Sequence, residues 1–287
     1  MFDRYVVVDW SANSTPKLGA DSIWIGAHDR DGQASITNLS TRREAEAFLV
    51  ELLEAEPSAT TLVGVDFSLG YPSGTAAALG VRGTPWSAMW AMLSEQITDD
   101  ERNRNNRFAI AAGVNEQLTG SAAPFWGCPP SAGGRFLSST KPCSLDSPGE
   151  FRAVEAALRS CGHRPFSSWQ LLGAGAVGSQ SLVGIPVLER MRRRFADRLD
   201  VWPFTTGFGS PTGHRGAVVV AEVWPSMLDI GDIGELVRDA AQVDATARWL
   251  AAADATGVLD AMFSPAVSPA VAAAAVAEEG WVLGVRC

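Results

Sequence analysis

Histidine and cysteine are scarce in this chain of 287 residues, and their placement excludes a zinc framework. There are only three histidines. The cysteines contain no C-x-x-C pair and are irregularly spaced, whereas structural zinc sites need closely paired ligands. The four are Cys128, Cys143, Cys161 and Cys287. We therefore expect reduced thiols and a fold that is not stabilised by structural zinc.

Long apolar runs are also missing. No run approaches the ~20 consecutive residues that a helix needs to cross a bilayer. No basic segment followed by an apolar stretch precedes the first strand-like residues, as a secretory signal would require. From these two absences we expect a cytoplasmic protein with no membrane partner.

Excess positive charge is the third absence. The net charge is −9 and the pI is near 4.9, which argues against non-specific adhesion to nucleic acid or anionic lipid. Two local basic stretches remain, residues 101–107 and 189–194. In the first, Arg104 and Arg107 flank two asparagines, and such forks grip phosphate oxygens. They are candidate substrate-binding residues, although a solvated helix face would explain both stretches equally well.

The residues that are present indicate an α/β domain with a sizeable core. Apolar residues make up 46% of the chain and charged residues 19%, so global disorder is not expected. Residues 5–11, 22–28 and 33–39 are strand-like and closely connected, which predicts an antiparallel meander. A helix follows, with Thr41 and Glu44 spaced as a capping box. It leads to a fourth strand at 61–67, which should pair in parallel with the first.

The first and fourth strands end alike. YVVVDWSANS at 5–14 and LVGVDFSLGY at 62–71 are both apolar runs followed by an aspartate, an aromatic residue and a serine. If the two strands are parallel neighbours, about 4.8 Å apart, Asp9 and Asp66 lie side by side at their carboxyl ends. That edge of an open α/β sheet is where ligands usually bind.

The rest of the chain divides into an insertion and a returning core. Residues 72–210 are rich in Gly, Pro and Ser and predict a mainly helical and loop insertion subdomain, leaving 1–71 and 211–287 as the core. The core resumes with a fifth strand at 217–224 that carries Glu222. A helix over about 236–254 follows, in which Asp239 and Asp244 lie about 140° apart and so are not equivalent.

Four acidic residues thus occupy comparable places: Asp9, Asp66, Glu222 and Asp244. Oxygen ligands with few histidines suit Mg²⁺ or Mn²⁺, and a pair of such ions can activate water in phosphodiester hydrolysis. The alternative is that Asp9 and Asp66 only begin turns and that Asp244 pairs with Arg248 on the helix surface.

The strand order and the positions of the acids resemble the ribonuclease H-like superfamily. More narrowly, LVGVDFSLGYP, AEVWPSML, QVDATARWLAAA and EEGWVLGV resemble domain-of-unknown-function family 429, which is predicted to be nuclease-like; these segments span about half the chain. The resemblance implies a ribonuclease H-like mixed sheet with a large insertion, an Mg²⁺ or Mn²⁺ cofactor and a nucleic acid or nucleotide substrate. It also implies metal-binding and catalytic roles for Asp9, Asp66, Glu222 and Asp244.

One departure from the pattern affects the last helix. Related resolvase-type sites often carry two acidic residues three apart there, but Ala241 stands at the earlier position. Asp239 is a possible substitute, so the choice between Asp239 and Asp244 stays open.

Other readings of the motifs remain. The segment from Asp9 to Lys17 resembles the first phosphate loop of actin-like ATPases and sugar kinases, which implies that Ser11, Lys17 and the echoing Ser68 bind phosphate. That superfamily duplicates its whole domain, whereas here the echo falls within one core. A non-catalytic binding protein on the same fold is a further alternative.

Two motifs outside the acidic set also need an explanation. Residues 173–178 match G-x-G-x-x-G after the strand-like 168–172, and Asp197 could serve as the ribose acid of a dinucleotide site. Against that reading, residues 184–186 (Gly-Ile-Pro) are expected to interrupt the following helix. His214 lies in a glycine-rich loop and is either a mobile proton carrier or a loop residue without a role.

Overall fold

A six-stranded mixed sheet forms the centre of the molecule. The computed structural model describes residues 1–145, 148–173, 175–211, 214–231 and 237–286. Within them the sheet has the order β3–β2–β1–β4–β6–β5. The strands are β1 (Arg4–Asp9), β2 (Ile23–Asp29), β3 (Ala34–Leu39), β4 (Thr61–Val65), β5 (Leu199–Val201) and β6 (Val218–Glu222). β2 is antiparallel to β1 and β3, whereas β1, β4, β6 and β5 run parallel.

Helices cover both faces of this sheet. They are α1 (Arg42–Ala55), α2 (Thr75–Ala78), α3 (Pro85–Gln96), α4 (Arg107–Thr119), α5 (Ala153–Ser160), α6 (Gly178–Arg194), α7 (Arg238–Ala255), α8 (Val258–Met262) and α9 (Pro269–Ala274). Two 3₁₀ turns occur at Pro130–Ala132 and Pro225–Met227, and a π-helical turn at Ala275–Glu279. None of the helices in the described ranges is long and apolar enough to cross a bilayer.

The meander and the crossover helix are confirmed. β1, β2 and β3 follow one another in antiparallel pairing, and α1 connects them to β4, which is parallel to β1. α1 begins with the capping box that the sequence predicts: the Glu44 N–H donates to Thr41 Oγ1 (3.2 Å), and the Thr41 N–H donates to Glu44 Oε2 (3.0 Å). The box satisfies two backbone N–H groups that the helix start would otherwise leave unpaired.

Alternating side chains of β1 belong to two apolar cores, one on each face of the sheet. Val6 and Val8 join the core on the face that α1, α3 and α6 cover, whereas Tyr5 and Val7 join the core on the α7 face. The first core also contains Trp90 from the range predicted as an insertion. Residues 72–210 therefore share a core with the sheet, and their strand β5 extends the sheet beside β6.

α7 lies unusually close to the sheet because β2 carries a glycine where the two meet. A Cβ on Gly26 would come within 2.9 Å of the Val243 backbone. The helix is the one predicted around Asp239 and Asp244, and its predicted apolar positions Ala240, Val243, Ala247 and Leu250 are buried. Leu236, the other predicted position, lies outside the described residues. This close packing places the first turn of α7 beside the carboxyl end of β1.

Two expectations were wrong. α6 runs through Gly184 and Pro186 without a break. A proline removes one helix hydrogen bond, but α6 is buried along most of its length against the sheet and α3, and this packing outweighs the loss. The thiols of Cys128 and Cys143 are free, but Cys161 is disulfide-bonded, so the expectation of reduced thiols fails at that residue.

Candidate functional site

Asp9 and Asp66 meet at the carboxyl ends of two adjacent strands. Val8 pairs with Val65 in the parallel register of β1 and β4, and the Asp66 N–H continues the ladder by donating to the Val8 carbonyl (3.2 Å). The Asp66 carboxylate then accepts the Trp10 N–H (2.8 Å). The Asp9 and Asp66 carboxyl groups are within hydrogen-bonding reach of each other.

The electrostatics of this pair oppose a double negative charge. Burial, followed by the charge of Asp66, raises the pKa of Asp9 well above its usual range. Burial also raises the pKa of Asp66 to about 6, although hydrogen bonds from the Trp10 N–H and from Asp9 pull it down. Without a cation, the pair therefore favours holding a proton between its two carboxyls.

The pair lies in the wall of a cavity of about 620 Å³. The loop after β1, the first turn of α7 and the first turn of α6 form its other walls. Asp239 from α7 lines the same cavity, and its negative charge adds to the rise in the pKa of Asp9 and of Asp66. Three carboxylates from β1, β4 and α7 thus share one cavity.

The structure distinguishes Asp239 from Asp244. Asp239 Oδ2 accepts the backbone N–H of Asp21 (2.7 Å), which holds the carboxylate at the cavity rim. Asp244 lies outside the cavity, and its Oδ2 accepts from Arg248 Nε one turn later on the helix surface (2.9 Å). The difference follows from the helical pitch, since five residues turn the side chain to another face.

Glu222 is also separate from the aspartates. In the β4–β6 register it pairs with Val65, so it is out of phase with Asp66, and successive side chains of a strand point to opposite faces. Arg152 donates to both Glu222 carboxylate oxygens (2.7 and 2.6 Å) in a buried network that also includes Glu155. We therefore leave Glu222 and Asp244 out of the site.

The predicted substrate-binding residues separate in the same way. Arg107 and Ser11 line the cavity. Arg104 is exposed and paired with Asp100 (2.6 Å), whereas Lys17 reaches the exposed carboxylate of Asp21 (3.2 Å). Ser68 is buried elsewhere, and His214 is exposed and away from the cavity.

Arg107 is a buried cation in the cavity wall. It is only 7% exposed, and it donates to the hydroxyls of Ser179 and Ser14 (3.0 Å each) and to Asn105 Oδ1 (2.8 Å). Burial lowers its pKa to about 10, and the nearby charge of Arg42 acts in the same direction. Arg107 therefore remains protonated at neutral pH.

The glycine-rich loop at 173–178 faces the cavity but does not form a dinucleotide-binding unit. Within the part of the chain that the structure describes, residues 168–172 are not a strand of the sheet, and their ladder contact is an isolated bridge between Gln170 and Trp126. Asp197 is exposed and does not line the cavity. The loop instead delivers the N-terminus of α6 to the cavity, with Gly173 and Gly175 at positive φ.

The donor chemistry of the aspartates fits a hard divalent cation. Within the described ranges, no group of three or more His, Cys, Asp or Glu side chains is arranged to hold a metal ion by itself. Mg²⁺, however, commonly binds through one or two carboxylates and completes its shell with water and substrate phosphates. The neighbouring carboxyls of Asp9 and Asp66 offer such a pair, and Asp239 lines the same cavity.

No protein-family model, curated protein or solved structure matches this chain. The site therefore has to be interpreted from its own geometry. Sequence reasoning identified Asp9, Asp66 and Arg107 and kept Asp239 as a substitute, but it missed the contribution of α6. The one signal for α6 is the glycine run at 173–178, which the sequence connects with a dinucleotide site.

Proposed function

We propose that this chain hydrolyses phosphodiester bonds with a bound Mg²⁺ or Mn²⁺ ion, on a nucleic acid or nucleotide substrate. The proximity of the Asp9 and Asp66 carboxyls, within hydrogen-bonding reach of each other in the wall of the cavity, carries the proposal. The β-β-β-α-β order and the acids after β1 and β4 support a ribonuclease H-like assignment of the fold. Of the two helix residues between which the sequence leaves the choice open, Asp239 and Asp244, we assign Asp239 to the site.

Each carboxylate has a distinct task in this proposal. Asp9 and Asp66 would hold the cation, which when bound would neutralise the pair and supply Lewis-acid stabilisation of the charge that develops on the phosphate. In the hydrolysis, the water oxygen bonds to phosphorus, the P–O ester bond breaks, and the leaving oxygen takes a proton from solvent water. Asp239 Oδ1 accepts the proton that the water loses, since the other oxygen is engaged by the Asp21 N–H.

A manganese titration of the full chain tests the proposal. We expect wild type and Asp244→Asn to bind Mn²⁺ alike, and the double variant Asp9→Asn with Asp66→Asn to lose binding at least tenfold. Asp239→Asn should keep most of its Mn²⁺ affinity while hydrolysing bis(p-nitrophenyl) phosphate at least a hundredfold more slowly, because it lacks the proton acceptor.

Two outcomes would contradict this function. Mn²⁺ binding that is unchanged in the double variant would remove the metal site. ATP turnover with no hydrolysis of phosphodiesters would instead favour the phosphate-loop interpretation of Asp9 to Lys17.

A further inference from the structure

Arg107 differs from the other buried arginines. Four arginines in the described residues are buried: Arg4, Arg42, Arg107 and Arg152. Arg4 is paired with Asp29, Arg42 with Asp99, and Arg152 with Glu155 and Glu222. Arg107 has no ion pair within the described residues. A buried charge without a counter-charge is costly, so the cavity wall maintains a positive charge that an anionic ligand would neutralise.

The first turn of α6 adds backbone donors next to this charge. Its N-terminus has no side-chain cap. The Gly178 N–H donates to the Gln170 carbonyl (2.9 Å), but within the described residues neither the Ser179 nor the Gln180 N–H has an acceptor. Both residues line the cavity, and Ser179 Oγ accepts from Arg107 Nε (3.0 Å). A 17-residue helix also places partial positive charge at this end.

One residue connects this positive wall to the aspartates. The Trp10 N–H donates to Asp66, and the Trp10 carbonyl accepts the side-chain amide of Gln180 from α6. The carboxylates and the helix N-terminus are thus held on either side of a single residue. A ligand in this cavity therefore meets a negative pole, suited to a cation, and a separate positive pole, suited to an anion.

We propose that Arg107 and the first turn of α6 form a phosphoryl subsite, which holds a terminal phosphate of a nucleotide-sized substrate while Asp9 and Asp66 face its diester. The Arg107 Nη2 group, which makes no hydrogen bond within the described residues, and two backbone N–H groups offer donors to the oxygens of a phosphate dianion. A volume of about 620 Å³ lies within the range of small-molecule sites. The size of the substrate rests on the proposed function, whereas the anion subsite itself does not.

Titration of the full chain with inorganic phosphate in EDTA tests the subsite directly. Followed through backbone ¹⁵N–¹H resonances, phosphate should shift the Ser179 and Gln180 amides most strongly. AMP should compete with phosphate, because the same subsite would hold its 5′-phosphate. This measurement uses the wild-type protein and does not depend on whether a variant folds.

Variants then separate the subsite from the metal site. Arg107→Gln should weaken phosphate binding at least tenfold, and Arg107→Lys should weaken it less, because lysine keeps the positive charge although it loses the guanidinium donors. Arg102→Gln, an exposed neighbour in the same basic stretch, should bind as wild type does. Arg107→Gln should keep its Mn²⁺ affinity, and Asp9→Asn with Asp66→Asn should keep its phosphate affinity.

Several results would overturn the proposal. If wild type does not bind phosphate, if the Ser179 and Gln180 amides do not respond, or if both Arg107 variants bind as wild type does, there is no phosphoryl subsite. If phosphate binds but AMP does not compete, or if a 20-base-pair duplex binds without displacing phosphate, the substrate is not nucleotide-sized. In each of these cases the proposed function still holds if Mn²⁺ binding is lost in the Asp9→Asn with Asp66→Asn variant and kept in the other variants.

Discussion

Asp9 and Asp66 hold their positions against a substantial electrostatic penalty. Both carboxyls are desolvated, and each lies against the other and near Asp239. From the backbone, the Trp10 N–H compensates Asp66 most strongly. Such an arrangement costs stability in the metal-free protein, and a cation would relieve that cost. The penalty is therefore measurable without any knowledge of the substrate.

We predict that Asp66→Asn stabilises the metal-free protein at neutral pH. The folded state raises the pKa of Asp66 from 3.8 to about 6, so the ionised carboxylate opposes folding above about pH 6. This opposition fades as the pH falls from about 6 towards 4, because the carboxyl then becomes protonated in the unfolded state as well as in the folded state. In urea unfolding with EDTA, the variant should exceed wild type by roughly 1–3 kcal/mol at pH 7 and match it near pH 4. A difference that is independent of pH would contradict the prediction.

Glu222 and Asp244 should affect stability very differently and Mn²⁺ affinity not at all. Glu222→Gln removes one of the two carboxylates around the buried Arg152, and breaking a buried ion pair costs about 3 kcal/mol or more. Asp244→Asn only disrupts a surface pair with Arg248, which is worth about 0–1 kcal/mol. Urea unfolding and Mn²⁺ titration of both variants provide the check. A stable Glu222→Gln protein with lost Mn²⁺ affinity would restore Glu222 as a ligand.

At the scale of elements, α6 connects the core to the site. Its N-terminal turn lines the cavity, and Gly184 in its middle packs against the ring of Phe67, the residue after Asp66. A Cβ on Gly184 would lie 2.4 Å from the Phe67 ring, so the helix reaches the sheet only because this position is glycine. The packing of α6 thus positions both the phosphoryl subsite and the segment that carries Asp66.

Alanine at two helical glycines should have opposite effects. Gly184→Ala should destabilise the fold by about 1–3 kcal/mol, because the added methyl group overpacks the contact with Phe67. Gly113→Ala is the matched control, since Gly113 lies in α4 with nothing within 4 Å of the added Cβ. There the higher helix propensity of alanine should stabilise by about 0.5–1 kcal/mol. Equal effects of the two substitutions on the urea midpoint would show that the Phe67 contact is not tight.

The same elements show what could be predicted from the sequence. Local signals were sufficient for the meander, for the Thr41 cap and for the parallel pairing that brings Asp9 to Asp66, because each depends on short-range pattern and a general crossover rule. The sequence alone does not show that Glu222 is in register with Val65 and so faces away from Asp66, because the strand register depends on packing between strands. The continuity of α6 through Pro186 likewise depends on tertiary contacts, which outweigh local propensity.

At the scale of the whole molecule, acidic side chains neutralise the second basic stretch, residues 189–194. Arg190 and Arg194 pair with Glu46 and Glu54 across α6 and α1 (2.6 and 2.7 Å). Arg192 and Arg193 both pair with the buried Glu189. With a net charge of −9, this face offers little attraction to a polyphosphate backbone. Arg107, buried in the cavity wall, is accessible only to a ligand that enters the cavity.

Wild type should therefore bind duplex DNA only weakly. We expect a Kd above about 10⁻⁴ M for a 20-base-pair duplex in 150 mM salt, which is a lower affinity than non-specific DNA binders usually have. Fluorescence anisotropy at several salt concentrations measures this affinity and its salt dependence. Glu46→Gln with Glu54→Gln frees Arg190 and Arg194, so it should bind more tightly at low salt, with a steeper dependence of affinity on salt. Glu51→Gln with Glu101→Gln removes the same charge without freeing an arginine, and it should gain less. Micromolar binding by wild type in 150 mM salt would show instead that another surface of the chain recognises duplexes.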